Sequence, residues 1–174
     1  MDKAALKDSY FQISQQAERL KVLLVSQLEH LLKQDGISLG VPIESRVKDW
    51  GSIEEKLDRK SLSLNSLTDL DDLVGMRLIL LFQRDSLAVE KLLNSNLRVL
   101  SSEDTALRLT DSQFGYQSKH FVIELPREWL NVPTWSDLGA IRVEIQVRTL
   151  AQHIWAAVSH KLQYKQETSV PPPL

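Results

Sequence analysis

The segment Ile141-Arg142-Val143-Glu144-Ile145-Gln146-Val147-Arg148 alternates apolar and polar side chains without a break. An extended strand sends successive side chains to opposite faces. Ile141, Val143, Ile145 and Val147 are therefore expected to bury one face of a sheet, while Arg142, Glu144, Gln146 and Arg148 share the other. A carboxylate, an amide and two guanidiniums in one row suit a metal ion and phosphates. The same pattern also describes an ordinary half-exposed strand in an antiparallel sheet.

Upstream, Val74 to Phe82 is nearly all apolar, the pattern of a central strand buried on both faces. Ile43 to Lys48, residues 97–101 and Lys119 to Leu125 read as further strands, the last with Phe121, Ile123 and Leu125 inward. Residues 61–72, 102–115 and Pro126 to Gly139 read as loops. Helices are expected over residues 3–34, from a Ser52-Ile53-Glu54-Glu55 capping box to about Lys60, over Asp85 to Asn94, and from about Thr149 to Gln163. The first carries a broad apolar stripe (Leu20, Val22, Leu23, Leu24, Leu28, Leu31, Leu32) suited to core packing. The last has Leu150, Ile154, Trp155, Val158 and Leu162 as its stripe, with Trp155 assigned to the core. This order of elements predicts an α+β fold, a mixed β-sheet flanked by helices.

The chain has 174 residues, enough for one domain with a substantial core. Its formal net charge of −2 gives no global basic field to collect nucleic acid, although a local basic groove is compatible with it. The absence of cysteine excludes disulfides and thiolate zinc sites. No apolar run spans a bilayer and Met1-Asp2-Lys3 does not begin a signal peptide, so no membrane association and a cytoplasmic location are expected. The proline-rich stretch at residues 166–174 reads as a tail or the start of a linker, which suggests one domain of something longer.

Three clusters of residues carry chemical potential. Arg46 and Lys48 share a strand face, and Ser52 and Lys56 stand one turn apart on the following helix, whose N-terminus offers free N–H groups. Together they form either a polyphosphate cradle or a solvated basic face. Asp69, Asp71 and Asp72 precede the buried strand that carries Gly75 and Arg77. A carboxylate at that mouth is placed to hold Mg²⁺, although helix-capping aspartates and a structural Arg77–carboxylate pair explain the same residues. In Gly115-Tyr116-Gln117-Ser118-Lys119-His120, Ser118 and His120 share a face opposite Phe121. Tyr116 either stacks on a base or closes the core. His30, His153 and His160 lack zinc-motif spacing.

These clusters occur together in one order, as Arg46-Val47-Lys48-Asp49-Trp50-Gly51-Ser52-Ile53-Glu54-Glu55-Lys56, Asp72-Leu73-Val74-Gly75-Met76-Arg77, Gly115 to His120 and Val143-Glu144-Ile145-Gln146-Val147-Arg148-Thr149. The combination resembles the synthetase domain of the RelA/SpoT family, the alarmone synthetases. His153-Ile154-Trp155-Ala156 and His160 to Lys165 are similar to the closing helix of that family. The resemblance covers about residues 43–165, after an N-terminal helical segment at 1–42, and implies a nucleotidyltransferase-like synthetase fold.

What the resemblance implies is a pyrophosphokinase that moves the β,γ-pyrophosphate of ATP to the 3′-hydroxyl of GDP or GTP. Asp72 and Glu144 would be the catalytic and Mg²⁺-binding carboxylates. Arg46, Lys48, Ser52, Lys56 and Arg77 would bind ATP, with Arg46 and Arg77 flanking the adenine. Tyr116, His120, Gln146 and Arg148 would meet the acceptor.

Residues 101–114 are acidic and polar where the family usually has a lysine-containing segment. Phe114-Gly115-Tyr116 is similar to a divergent branch that includes toxic synthetases. The acceptor therefore has alternatives, an adenine nucleotide or the 3′ CCA end of tRNA, the latter needing a basic surface such as Lys3, Lys7, Arg19, Lys21, Arg59 and Lys60. An inert nucleotide-binding regulatory module is the reading of another class. A homo-oligomer, or a fused or separate inhibitory partner as in a toxin–antitoxin pair, is compatible with all of these.

Overall fold

Alternation around Glu144 yields a central strand rather than an edge. Strand β5 (Val143–Thr149) lies between β2 (Val74–Leu80), to which it is parallel, and β4 (Lys119–Glu124), to which it is antiparallel. Strand β1 (Glu44–Val47) pairs antiparallel with β2, and β3 (Arg98–Asp104) pairs antiparallel with β4. The result is a five-stranded mixed sheet in the order β1-β2-β5-β4-β3. The expected α+β class with a mixed sheet and helices is the fold that forms. The computed structural model describes residues 3–60, 64–105 and 118–167, without the side chains of Lys60 and residues 159–167.

One sheet face is apolar. Val74, Met76, Leu78, Val143, Ile145, Phe121 and Ile123 are buried there in a single core. Helix α1 (Lys3–Gln34) contributes Leu20, Leu24, Leu28 and Leu32, one per turn, and α3 (Ser86–Asn96) contributes Val89, Leu92 and Leu93. The N-terminal helix therefore packs on the sheet domain's own core, as its stripe predicts, although Val22 from that stripe faces out. Tyr10 of α1 donates a hydrogen bond to the Lys48 carbonyl at 3.0 Å and packs on Trp50, tying the helix to the end of β1.

Several elements depart from the sequence pattern for identifiable reasons. Helix α2 (Trp50–Lys60) begins before Ser52, because Asp49 is its cap: the Asp49 carboxylate accepts from the Ser52 N–H at 2.9 Å and the Ser52 hydroxyl at 2.8 Å. A capping box does form, but at Ser66 and Asp69, around a short 3₁₀ turn in the segment read as loop. Strand β3 runs on to Asp104, past the polar residues at which an intrinsic strand preference stops. Pairing of Ser102, Glu103 and Asp104 with Phe121, His120 and Lys119 overrides that preference. A four-residue helix, α4 (Arg127–Leu130), sits in the tryptophan-bearing segment, where Trp129 and Trp135 pack with ring centroids 5.2 Å apart.

Strand β2 is buried on both faces only near its end. Gly75 and Arg77 are half-buried on the polar face, and Leu81 and Phe82 leave the strand exposed. Ile79 is covered where residues 38–40 and the start of α5 (Leu150–Glu167) approach. The expected stripe of α5 is not its buried side. Ala156 is buried, whereas Ile154, Trp155 and Val158 are exposed, Trp155 at 51%. Trp155 is therefore not a core residue: it lies on the exposed side of α5, and Ala156 is on the buried side. Among the described residues no helix is long and apolar enough to cross a membrane.

Leu24 is fully buried and Val22 is 63% exposed on the same helix. Leu24→Ala is expected to lower unfolding free energy by about 2–5 kcal/mol, while Val22→Ala changes it by less than about 0.5 kcal/mol. Urea denaturation of the two variants measures both; equal effects would show that α1 does not pack as described.

Candidate active site

Strand register assembles the polar face. In one row across the sheet Arg46 stands opposite Gly75, and Gly75 opposite Glu144. In the next row Glu44 faces Arg77, Arg77 faces Gln146, and Gln146 faces His120. Between Arg46 and Glu144 there is no side chain at Gly75, where a Cβ would meet nothing nearer than Arg46 at 3.9 Å. The gap forms the floor of an open cleft of ≈ 510 Å³, walled by Arg46, Asp72, Arg77, Glu144 and Gln146.

Asp72 occupies the turn that enters β2. The Lys48 N–H donates to the Leu73 carbonyl at 2.9 Å, which prolongs the β1–β2 ladder and brings Lys48 beside Asp72. Lys48 Nζ then reaches Asp72 Oδ2 at 2.7 Å, and Lys56 Nζ of α2 reaches Oδ1 at 2.7 Å. Partial burial opposes the charge on this carboxylate, but the hydrogen bonds and charges of the two ammoniums outweigh it. Its pKa therefore falls below the ordinary aspartate value. The neighbouring aspartates have other tasks: Asp69 caps the 3₁₀ turn and Asp71 pairs with Arg142 at 2.8 Å.

Glu144 is held by a different set. His120 Nδ1 lies 2.8 Å from Oε1, and Gln146 Nε2 donates to Oε2 at 3.2 Å. The His120 hydrogen bond is the chief reason that the Glu144 pKa lies below the usual glutamate value; burial and the charge of Asp72 work against it. Gln146 Oε1 accepts from Arg77 Nε at 3.1 Å, and Arg77 Nη1 pairs with Glu44 at 3.2 Å. The cleft floor is thus one hydrogen-bonded chain from Glu44 to His120.

The residues singled out from sequence fall into distinct positions. Asp72, Glu144, Arg46, Arg77 and Gln146 line the cleft. Lys48 and Lys56 stand at its edge on Asp72, and the Ser52 hydroxyl is turned to Asp49. Both ring nitrogens of His120 are engaged, by Glu144 and Ser118. Arg148 is only 6% exposed, bonds His153 Nδ1 at 2.8 Å, and borders a separate recess with Ser118, Thr149 and Gln152. Tyr116 lies outside the described residues. Glu44 and His153 belong to the site although the pattern did not mark them. Glu44 was findable from its place two residues before Arg46, on the same strand face. His153 is visible only once the start of α5 is folded against Arg148.

Among the described residues no group of three or more histidines and carboxylates forms a complete metal cage. Mg²⁺ needs no such cage, since one or two carboxylates with substrate phosphates suffice, and the oxygen-only pair Asp72 and Glu144 fits that requirement. Two ionised carboxylates facing guanidiniums and ammoniums around one cleft suit the handling of phosphate chains.

Residues 45–169 match the model of the region found in RelA/SpoT proteins. The chain belongs to the RelA/SpoT family. It is 35% identical over 135 residues to the GTP pyrophosphokinase YjbM of Bacillus subtilis, a match covering 75% of this chain and 61% of that protein. The chain thus spans about 61% of the length of that curated relative. Its fold is similar to the crystal structure of small alarmone synthetase 1 from Bacillus subtilis bound to its product pppGpp, with TM-score 0.73, 27% identity and coverage of 94% of this chain and 84% of that one. The structure of the same synthetase bound to AMPCPP matches with TM-score 0.69, 25% identity and coverage of 95% of this chain and 83% of that chain. These RelA/SpoT relatives share the mixed sheet that carries the cleft.

The Lys48–Asp72–Lys56 clamp has a pH signature. Because the folded pKa of Asp72 is lowered, the clamp stabilises fully above the unfolded value of ~3.9 and is lost as pH falls through the folded one. Asp72→Asn is expected to cost about 1–3 kcal/mol at neutral pH and to flatten the acid limb of the stability profile. Urea denaturation across pH in metal-free buffer measures this; a parallel acid limb in both proteins would contradict it.

Proposed function

We propose that this chain transfers the β,γ-pyrophosphate of ATP to the 3′-hydroxyl of GDP or GTP, making a (p)ppGpp-type alarmone. The observation that carries the reading is that Asp72 and Glu144 line one cleft together with Arg46 and Arg77. Relatives named for GTP pyrophosphokinase activity and for binding pppGpp and AMPCPP support it. In this reading residues 43–165 are the synthetase unit, with α1 built onto its core.

Arg46 makes no side-chain hydrogen bond to another described residue and stands free to stack on the adenine beside Arg77. Lys48 and Lys56 pair with Asp72 and attract the ATP phosphates. The Ser52 hydroxyl, tied to Asp49, acts by holding the start of α2, whose N-terminus favours phosphate. Asp72 and Glu144 would hold Mg²⁺, which would supply charge neutralisation at the transferring group. Tyr116 stacks on the acceptor base and Gln146 meets acceptor or transferred phosphates; Arg148, buried against His153 beside a separate recess, would have to turn out of that position to join them. His120 reaches the acceptor through Glu144.

The 3′-oxygen bonds to the β-phosphorus, the bond from that phosphorus to the bridging α-phosphate oxygen breaks, and AMP leaves. Glu144 receives the hydroxyl proton. Its lowered pKa makes it a weak base, so its larger task is to orient the hydroxyl, in keeping with the loose transition state of phosphoryl transfer.

The tRNA acceptor draws less support. Three of the basic residues it would use are neutralised: Lys3 pairs with Asp58, Arg19 with Asp137 and Lys21 with Glu18. An inert nucleotide-binding module would have no use for two ionised carboxylates on one cleft. Cytoplasmic location goes with the nucleotide substrates. A second copy or an inhibitory partner would find exposed Ile154, Trp155 and Val158 on α5.

Incubation with ATP labelled at the γ-phosphate, Mg²⁺ and separately GDP, GTP, ATP or deacylated tRNA is expected to label the guanine nucleotides. Label on tRNA alone would overturn the alarmone reading, and no labelled product would overturn both enzyme readings. Glu144→Gln and Asp72→Asn are expected to lower kcat at least about 100-fold while the fold is kept; wild-type turnover in either would displace it from the site.

A further inference from the structure

Ser118 is 4% exposed at the head of β4. Thr105, just past the end of β3, fixes its backbone from both directions. The Thr105 hydroxyl accepts from the Ser118 N–H at 2.8 Å and donates to the Ser118 carbonyl at 3.0 Å, and the Thr105 N–H donates to that carbonyl at 3.0 Å. From this anchored position Ser118 Oγ lies 2.6 Å from His120 Nε2, and the far side of the ring holds Glu144 at 2.8 Å.

The chemistry of these groups orders the hydrogens. An ionised carboxylate only accepts, so His120 Nδ1 carries the hydrogen directed at Oε1. A neutral ring then has a bare Nε2, and the group facing it is the Ser118 hydroxyl, which must donate. The second Glu144 oxygen accepts from Gln146 at 3.2 Å, so each carboxylate oxygen has one donor from a neighbouring side chain. Serine, histidine and carboxylate in line resemble a hydrolase triad. The access is reversed, however: the serine is buried and the carboxylate lines the cleft.

We propose that Ser118 is a positioning residue, whose buried hydroxyl fixes His120 as the Nδ1–H tautomer and so holds the Glu144 carboxylate in one orientation over the cleft. This rests on the reading of Glu144 as the carboxylate that meets the acceptor hydroxyl. Removing the hydroxyl leaves the ring hinged at Glu144 alone, so that among the described side chains Gln146 is the one fixed donor left to the carboxylate.

The test uses the whole chain labelled with ¹⁵N-histidine, the His120 signals being assigned by their loss in His120→Gln. The wild type is expected to show one ring form with its hydrogen on Nδ1 and a bare Nε2, and Ser118→Ala a mixed or exchange-broadened one. In the transfer assay Ser118→Ala is expected to lose about 10–100-fold in kcat, the usual cost of removing a partner behind a working ligand, with KM for ATP unchanged. Ser118→Thr, which keeps the hydroxyl, restores most of the rate. An Nε2–H ring in the wild type overturns the proposal without recourse to any variant, so misfolding of Ser118→Ala does not shelter it. Wild-type kcat in Ser118→Ala overturns it too. If the wild type transfers nothing to a guanine nucleotide, the reading of the activity fails, while the spectrum still decides the tautomer.

Discussion

The parallel register of β2 on β5 is the constraint from which the cleft follows. Gly75 meets Glu144 and Arg77 meets Gln146 only in that alignment. Strand side chains alternate with a period of two, so a slip of one residue would turn Glu144 and Gln146 into the core and Val143 and Ile145 into water. Burial of the apolar face therefore pins the polar face. The leucines of α1 and the apolar side of α3 act on the chemistry indirectly, since they make the slip costly. The antiparallel strands β1 and β4 then only have to add Arg46 and His120 at the ends of rows already set.

The two carboxylates that line the cleft are kept ionised by different physics. Asp72 is desolvated and held by two cations, so its charge is neutralised locally until phosphate chains compete for the same ammoniums. Among the described residues Glu144 has no such cation; a histidine and an amide orient it, and the charge of Asp72 opposes its own. One carboxylate is thus an electrostatic element and the other a directional one. The proposed reaction would use both properties, because phosphoryl transfer is mostly positioning and charge stabilisation.

Much of this was legible before folding, and the limits have specific causes. The alternation at Glu144, the capping signals and the leucine stripe of α1 are local patterns, and they located the main strands and helices. Local pattern failed where a competing or distant partner decides. Asp49 outcompetes Ser52 as a cap because its carboxylate reaches both the N–H and the hydroxyl. Strand β3 extends because β4 is present to pair with it. The stripe of Ile154, Trp155 and Val158 is exposed because α5 turns Ala156 inward instead.

By itself, then, the sequence determined the alternating faces, the chemical types on the polar one, and the family to which the chain belongs, since these depend on residue identity and spacing along a few turns or pleats. Only the tertiary structure decided which of three neighbouring aspartates enters the cleft, that Lys48 and Lys56 converge on it, that Glu44 and His153 join the network, and that Ser118 stands behind His120. Those relations are made by register between strands far apart in the chain. Hydrogen bonds of 3 Å are decided by where backbones are held, and nothing in a local pattern carries that information.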